Sequence, residues 1–107
     1  MQGLFSRPNT HIGQNFLIDR NILAFILGRC DVGSHDVLLE VGAGKGFLTE
    51  GLLGENPLLV YSSEIDRRFE PYLGSLRTRY PNLRMLWGDA LKGGLPEQLE
   101  PPPNKMV

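Results

Sequence analysis

At 107 residues, with 41% apolar content and 11 basic against 12 acidic side chains, the chain is at most one small globular domain. A net charge of −1 places any strongly basic nucleic-acid surface mostly outside this segment, and no apolar run is long enough to span a membrane. Cys30 stands alone, which excludes an internal disulfide and a cysteine-rich metal site; with His11 and His35 far apart in sequence, no metal is expected.

Residues 1–10 carry Pro8 among small polar neighbours and show no periodicity. They also lack the basic region and apolar core of a signal peptide, so a cytoplasmic protein is expected. In His11-Ile-Gly-Gln-Asn-Phe-Leu-Ile18, polar Gln14 and Asn15 stand directly before Phe16 and Leu17. Such a pair is unusual in a loop that merely leads into a helix. Asp19 reads as the cap of that helix. Ile22, Leu23, Ile26, Leu27 and Cys30 then recur at helical spacing and form its apolar face, with Cys30 as a small buried hydrophobe rather than a nucleophile.

Asp31-Val-Gly-Ser-His-Asp36 is rich in turn residues and delivers the chain to Val37-Leu-Leu-Glu-Val41, whose four apolar residues in five predict a strand buried on both faces. Gly42, Gly44 and Gly46 follow before a new periodicity opens at Phe47 and runs to about Leu53, stopping near Gly54. The pattern is strand, glycine turn, helix. Glycines suit a turn where a ligand approaches the backbone closely and where φ is positive. Their spacing selects among ligands. A dinucleotide fingerprint is G-x-G-x-x-G, whereas here the third glycine falls one residue early, and Glu40 stands two residues ahead of the first. The G-x-G-x-G form is the adenosylmethionine-binding version of the turn. Another nucleotide-type ligand and a purely structural turn remain as alternatives, while a Walker loop is excluded because no G-x-x-x-x-G-K-[ST] occurs.

A second apolar run, Leu58-Leu-Val-Tyr61, continues through Ser62 and Ser63 into Glu64-Ile-Asp66 and predicts a parallel strand beside the first. Glu64 lies about twenty residues past the glycine turn, at a strand's carboxyl end, where a carboxylate can accept from both hydroxyls of a ribose; an ordinary solvated acid is the alternative. Asp66 reads as a cap of the following helix. That helix, about Arg67 to Tyr80, turns Phe69, Leu73 and Leu76 inward and places Pro71 in its first turn. Leu83-Arg-Met-Leu-Trp87 predicts a third strand running into Gly88-Asp89-Ala90. Asp89 is placed to accept from an exocyclic amine such as the adenine N6, though Gly-Asp is equally common turn chemistry. Gly93-Gly-Leu-Pro96 and Pro101-Pro-Pro-Asn104 read as loop, and Lys105-Met-Val107 as the start of a fourth strand.

Charge is uneven along this path. Residues 31–66 hold seven acids against Lys45, and residues 67–84 hold Arg67, Arg68, Arg77, Arg79 and Arg84 against Glu70. Gathered on one face those arginines would suit phosphates; a solvated helix surface is the better reading.

His11-Ile-Gly-Gln-Asn-Phe-Leu17, Glu40-Val-Gly-Ala-Gly-Lys-Gly46 with Leu48-Thr49, Glu64-Ile-Asp66 and Gly88-Asp-Ala90 occur in the order and spacing of the ribosomal RNA adenine N6-dimethyltransferases, which the chain resembles from about residue 11 to its end. The family includes small-subunit rRNA dimethylases and erythromycin-resistance enzymes. Gly-Gln-Asn-Phe-Leu is the most specific piece, and the phrase through Asp19 leans towards the small-subunit enzyme. The resemblance implies a Rossmann-like parallel sheet of the class I methyltransferase type, cut short after about three strands, with residues 1–18 a loop segment touching the cofactor and 19–107 a partial methyltransferase domain. It implies S-adenosylmethionine as cofactor, with Asn15 and Leu17 contacting it, Gly42 lining its methionine end, Glu64 holding the ribose and Asp89 the adenine. It implies small-subunit rRNA, alone or in a pre-ribosomal subunit, as substrate, met mostly through regions not in this sequence. The family's catalytic Asn-(Leu/Ile)-Pro-Tyr motif is expected just past Val107 and does not occur in these residues, so no catalytic residue is assigned. Relatives that act on large-subunit rRNA, or serve in transcription mainly as nucleic-acid binders, are the alternative.

Overall fold

A computed structural model of the chain describes residues 19–107. Asp19 caps helix α1, Arg20–Cys30, by accepting from the backbone N–H groups of Asn21 and Ile22. Strand β1 spans Val37–Val41, helix α2 Phe47–Gly54 and strand β2 Leu59–Glu64. A 3-10 turn at Arg67–Phe69 precedes helix α3, Glu70–Arg79, which leads to strand β3, Leu83–Trp87. A second 3-10 turn, helix α4 at Leu95–Gln98 and strand β4 at Lys105–Met106 complete the order.

All strand pairs are parallel, in the order β3-β2-β1-β4. The chain therefore builds outward from β1 through β2 to β3, then crosses back to lay β4 on the other side of β1. Where strand order reverses in such a sheet, loops leave in opposite directions and a crevice opens beyond the carboxyl ends of the strands. β1 stands at that reversal, and the glycine turn leaves its carboxyl end.

The sheet is covered on both faces. Leu38, Val60 and Leu83 pack against Leu52 and Leu53 of α2 and Leu73 and Leu76 of α3, while Val37, Leu39, Leu59 and Tyr61 meet Ala90, Leu95 and Leu99. Each fully buried leucine contributes roughly 1.5–3 kcal/mol by leaving water. The alternation within β1 explains why its sequence reads as a continuous apolar run: both faces are interior.

The structure departs from the sequence reading in three places. Residues 93–96, read as loop, contribute to a 3-10 turn and to α4: Gly94 takes φ 70° as the cap, and Pro96 sits in the first helical turn, where its missing N–H costs nothing. The stretch from Arg67 opens as a 3-10 turn, and α3 proper begins at Glu70 with Pro71 in its first turn. α1 buries no residue completely; Ile22, assigned to its apolar face, is exposed, and so is Phe25. The fourth strand forms in the register Leu38 to Lys105 and Leu39 to Met106.

At the amino end of β1 a polar lock holds β4 in place. Asn104 accepts from the Val37 N–H at 2.6 Å and donates to Asp36 at 2.8 Å, and Lys105 pairs with Asp36 at 2.9 Å. These partners, with the Gly33 N–H, hold the Asp36 carboxyl well below the usual carboxylate range, the Asn104 amide contributing most.

Candidate functional site at the strand tips

The turn 42–46 is folded onto the tip of β2. Gly42 and Ala43 both donate their N–H to the Ser63 carbonyl, at 3.0 and 2.9 Å. Gly44 donates to Glu64 Oε1 at 2.7 Å. Glu64 Oε2 accepts from the Asp66 N–H at 2.9 Å, so the carboxylate is aimed at the glycine turn and oriented from both sides. Each oxygen takes one bond from the described residues and has two lone pairs, which leaves capacity for a further donor on each.

Gly42 and Gly44 have φ of 81° and 58°, and a Cβ built on either would meet no atom within 4 Å. Their backbone thus borders open space. Gly46 is different. It caps α2 at φ 88°, and a Cβ there would stand 2.7 Å from Leu76 and 3.1 Å from Leu73. The first two glycines border open space; the third lets α3 press against the turn.

Position 89 joins the same rim through the backbone. Gly88 donates to the Glu64 carbonyl at 2.9 Å, tying the tips of β2 and β3 together. Asp89 is exposed and its Oδ1 accepts from the Leu91 N–H at 3.0 Å, the turn chemistry that its Gly-Asp context suggests. Gly42, Glu64 and Asp89 therefore sit at three adjacent strand tips. Asn15 and Leu17 lie outside the described residues. Asp66 caps the 3-10 turn by accepting from the Arg68 N–H and pairs with the Arg68 side chain at 2.6 Å, which lowers its pKa to about 2.

Two residues at this end stand inside the motifs but receive no role of their own from the sequence. Ile65, between the two acids, is 72% exposed at the rim of the strand tips. Its only signal in the sequence is position, directly after a strand-end acid. The second is Glu40, only 2% exposed, whose Oε1 accepts from the Thr49 and Ser62 hydroxyls. Burial pushes its pKa up, against the pull of those two hydroxyls. It fastens β1 to α2 and β2 under the turn. Thr49, Ser62 and Ser63, polar residues within apolar runs and all buried, were the available sign of a polar centre inside the core.

A parallel sheet with a glycine turn at its reversal point and an oriented acid on the next strand tip defines a Rossmann-like domain of the class I methyltransferase type. Residues 5–105 match the family model for ribosomal RNA adenine dimethylase, and the chain belongs to that family. It is 37% identical over 91 residues to a probable ribosomal RNA small subunit methyltransferase A of Methanococcus vannielii, covering 85% of this chain and 34% of the relative. Among solved structures, the 23S rRNA methyltransferase ErmE is 31% identical with a TM-score of 0.63, over 72% of this chain and 31% of that one. A dimethyladenosine transferase from Plasmodium falciparum is 33% identical with a TM-score of 0.62, over 69% and 27%. The chain spans about a third of the length of the curated relatives it matches.

Proposed function

We propose that this chain is the cofactor-binding part of an enzyme that dimethylates adenosine N6 amines in small-subunit rRNA, using S-adenosylmethionine, in the cytoplasm. The observation that carries the cofactor assignment is the Glu64 carboxylate, bonded to the Gly44 N–H of a turn in which Gly42 and Gly44 both have open space at their side-chain positions. That cradle fits an adenosine-bearing ligand. The spare lone pairs of Glu64 suit the two ribose hydroxyls, Gly42 leaves room for the methionine end, Ile65 offers an apolar surface for the adenine, and Asp89 an acceptor for its amine. Asn15 and Leu17 are assigned to the cofactor by the resemblance in the Gly-Gln-Asn-Phe-Leu phrase.

When bound, S-adenosylmethionine supplies an electrophilic methyl on a sulfonium centre. The residues present here bind and orient; the Asn-(Leu/Ile)-Pro-Tyr segment that the resemblance assigns to catalysis does not occur in the sequence. These 107 residues alone are therefore expected to bind the cofactor and transfer nothing. Addition of S-adenosylmethionine to the isotopically labelled chain should shift the backbone amide signals of Gly42, Gly44, Ile65 and Asp89. Shifts confined to other regions would sink the assignment.

The reading as a large-subunit rRNA enzyme has support from the 31% identity to a 23S rRNA methyltransferase. The small-subunit reading is preferred because curated relatives at 34% and 37% identity bear small-subunit names. Methyl transfer by the parent enzyme to small-subunit particles, and none to 23S rRNA, is the expected result.

A further inference from the structure

The five arginines of residues 67–84 do not behave as one set. Arg67 pairs with Glu70 at 3.2 Å and lies over the Trp87 ring at 4.6 Å, Arg68 pairs with Asp66, and Arg79 pairs with Glu50 at 3.2 Å. Those three are solvated surface charges with partners. Arg77 and Arg84 are both exposed and, among the described residues, have no carboxylate partner. They line one groove of about 470 Å³, together with Gly74, Met85, Trp87 and Glu70, the last already engaged by Arg67.

The groove lies along β3, which among the described residues pairs only with β2 and so forms an edge of the sheet. Arg77 reaches it from α3 and is fixed there by donating from Nε to the Leu83 carbonyl at 3.4 Å. Arg84 comes from β3 itself. Gly74 is the unexpected member. A glycine inside a helix is destabilising relative to alanine by about 1 kcal/mol, and a Cβ here would meet nothing within 4 Å. No packing demand accounts for it, and it lines the groove together with the two arginines and the tryptophan.

From this juxtaposition we infer that the Arg77–Arg84 groove binds the phosphate backbone of a single RNA strand, as a docking surface at the β3 edge, separate from the cofactor cleft. Two unneutralised guanidinium groups beside an aromatic side chain in an open channel are the features that sequence-tolerant single-strand binding uses. The choice of RNA over another polyanion rests on the reading of the chain as part of an rRNA-modifying enzyme; the charge and shape of the groove do not.

Fluorescence anisotropy with a labelled RNA strand of roughly a dozen nucleotides, across a series of KCl concentrations, tests it. Each phosphate-neutralising arginine removed should lower the salt-dependence slope on a single strand by about 0.7, so R77Q/R84Q is expected to lose about 1.4 from the slope, R77K/R84K to retain it, and R68Q to match the wild type. Gly74→Leu, which favours the helix, should fold at least as well and lose RNA affinity. S-adenosylmethionine binding, followed by calorimetry on the same variants, should be unchanged, which separates this inference from the cofactor assignment. Wild type and R77Q/R84Q with the same slope would overturn the proposal, as would RNA affinity unchanged in Gly74→Leu. Poly-glutamate binding as tightly as RNA, with the same dependence on both arginines, would make the groove a protein-docking surface and overturn it equally.

Discussion

The two ends of β1 are both bordered by carboxylates, and they use them in opposite ways. At the amino end, Asp36 accepts from the Gly33 N–H, the Asn104 amide and Lys105, and its partners tie β4 to the sheet. At the carboxyl end, Glu64 accepts one backbone N–H on each oxygen, one of them from Gly44, whose own side-chain position and that of Gly42 are open. A carboxylate crowded with donors holds the structure together. One oriented by two donors keeps acceptor capacity for a further donor on each oxygen.

The largest expected effect on stability comes from the glycine that belongs to the cleft by sequence and to the core by packing. Gly46→Ala combines a left-handed backbone with a Cβ 2.7 Å from Leu76, and should destabilise the chain by roughly 2–4 kcal/mol in urea unfolding. Gly44→Ala meets no neighbour within 4 Å, so only the positive φ counts against it, about 1–2 kcal/mol. Equal losses at the two positions would erase the distinction between a cradle and a packing contact.

At the other end, Asn104→Ala removes the acceptor of the part-buried Val37 N–H and should cost about 1–3 kcal/mol, without changing cofactor affinity. A loss of binding in this variant would mean that the two ends are not independent.

The smallest effects concern pH. Asp36 has its folded pKa depressed, so its contribution to stability is present above the unfolded value of about 3.9 and is lost as pH falls through the folded one. Glu40 has the opposite sign. Its raised folded pKa means that the native state keeps the proton longer than the unfolded chain, so stability declines as pH rises from about 4.3 through the folded value. Unfolding midpoints from pH 3 to 8 should show that decline in the wild type and a flatter profile in Glu40→Gln. An unaltered profile would mean that Glu40 is not held as a buried carboxyl.

Much of the fold was legible because local signals agreed with tertiary demands. β1 and β3 fall on their predicted residues, β2 and α2 fall within a residue of their predicted ends, and Asp19 and Asp66 cap as expected. Where signals conflicted, the reading failed: Pro96 looks like a loop residue until its place in a first helical turn is known, and Leu95 and Leu99 gain their meaning only from the sheet they cover. The candidate site shows the same division. Spacing singles out Gly42, Glu64 and Asp89, and the structure brings them to adjacent strand tips, with Asp89 engaged in the turn bond to Leu91 that its Gly-Asp context also suggested. Glu40's role under the turn depends on Thr49 and Ser62, nine and twenty-two residues away, and no local pattern contains it. Nor does composition separate Arg77 and Arg84 from their three paired neighbours; only the placement of Glu50, Asp66 and Glu70 does.

The account turns on whether the carboxylate at the β2 tip holds the ligand. Isothermal calorimetry with S-adenosylmethionine on the wild-type chain and on Glu64→Ala, with circular dichroism to confirm an unchanged fold, addresses it directly. Loss of both charge-assisted ribose contacts predicts an affinity lower by on the order of 100-fold in the variant. Equal affinity in two equally folded proteins would contradict the assignment of the cleft.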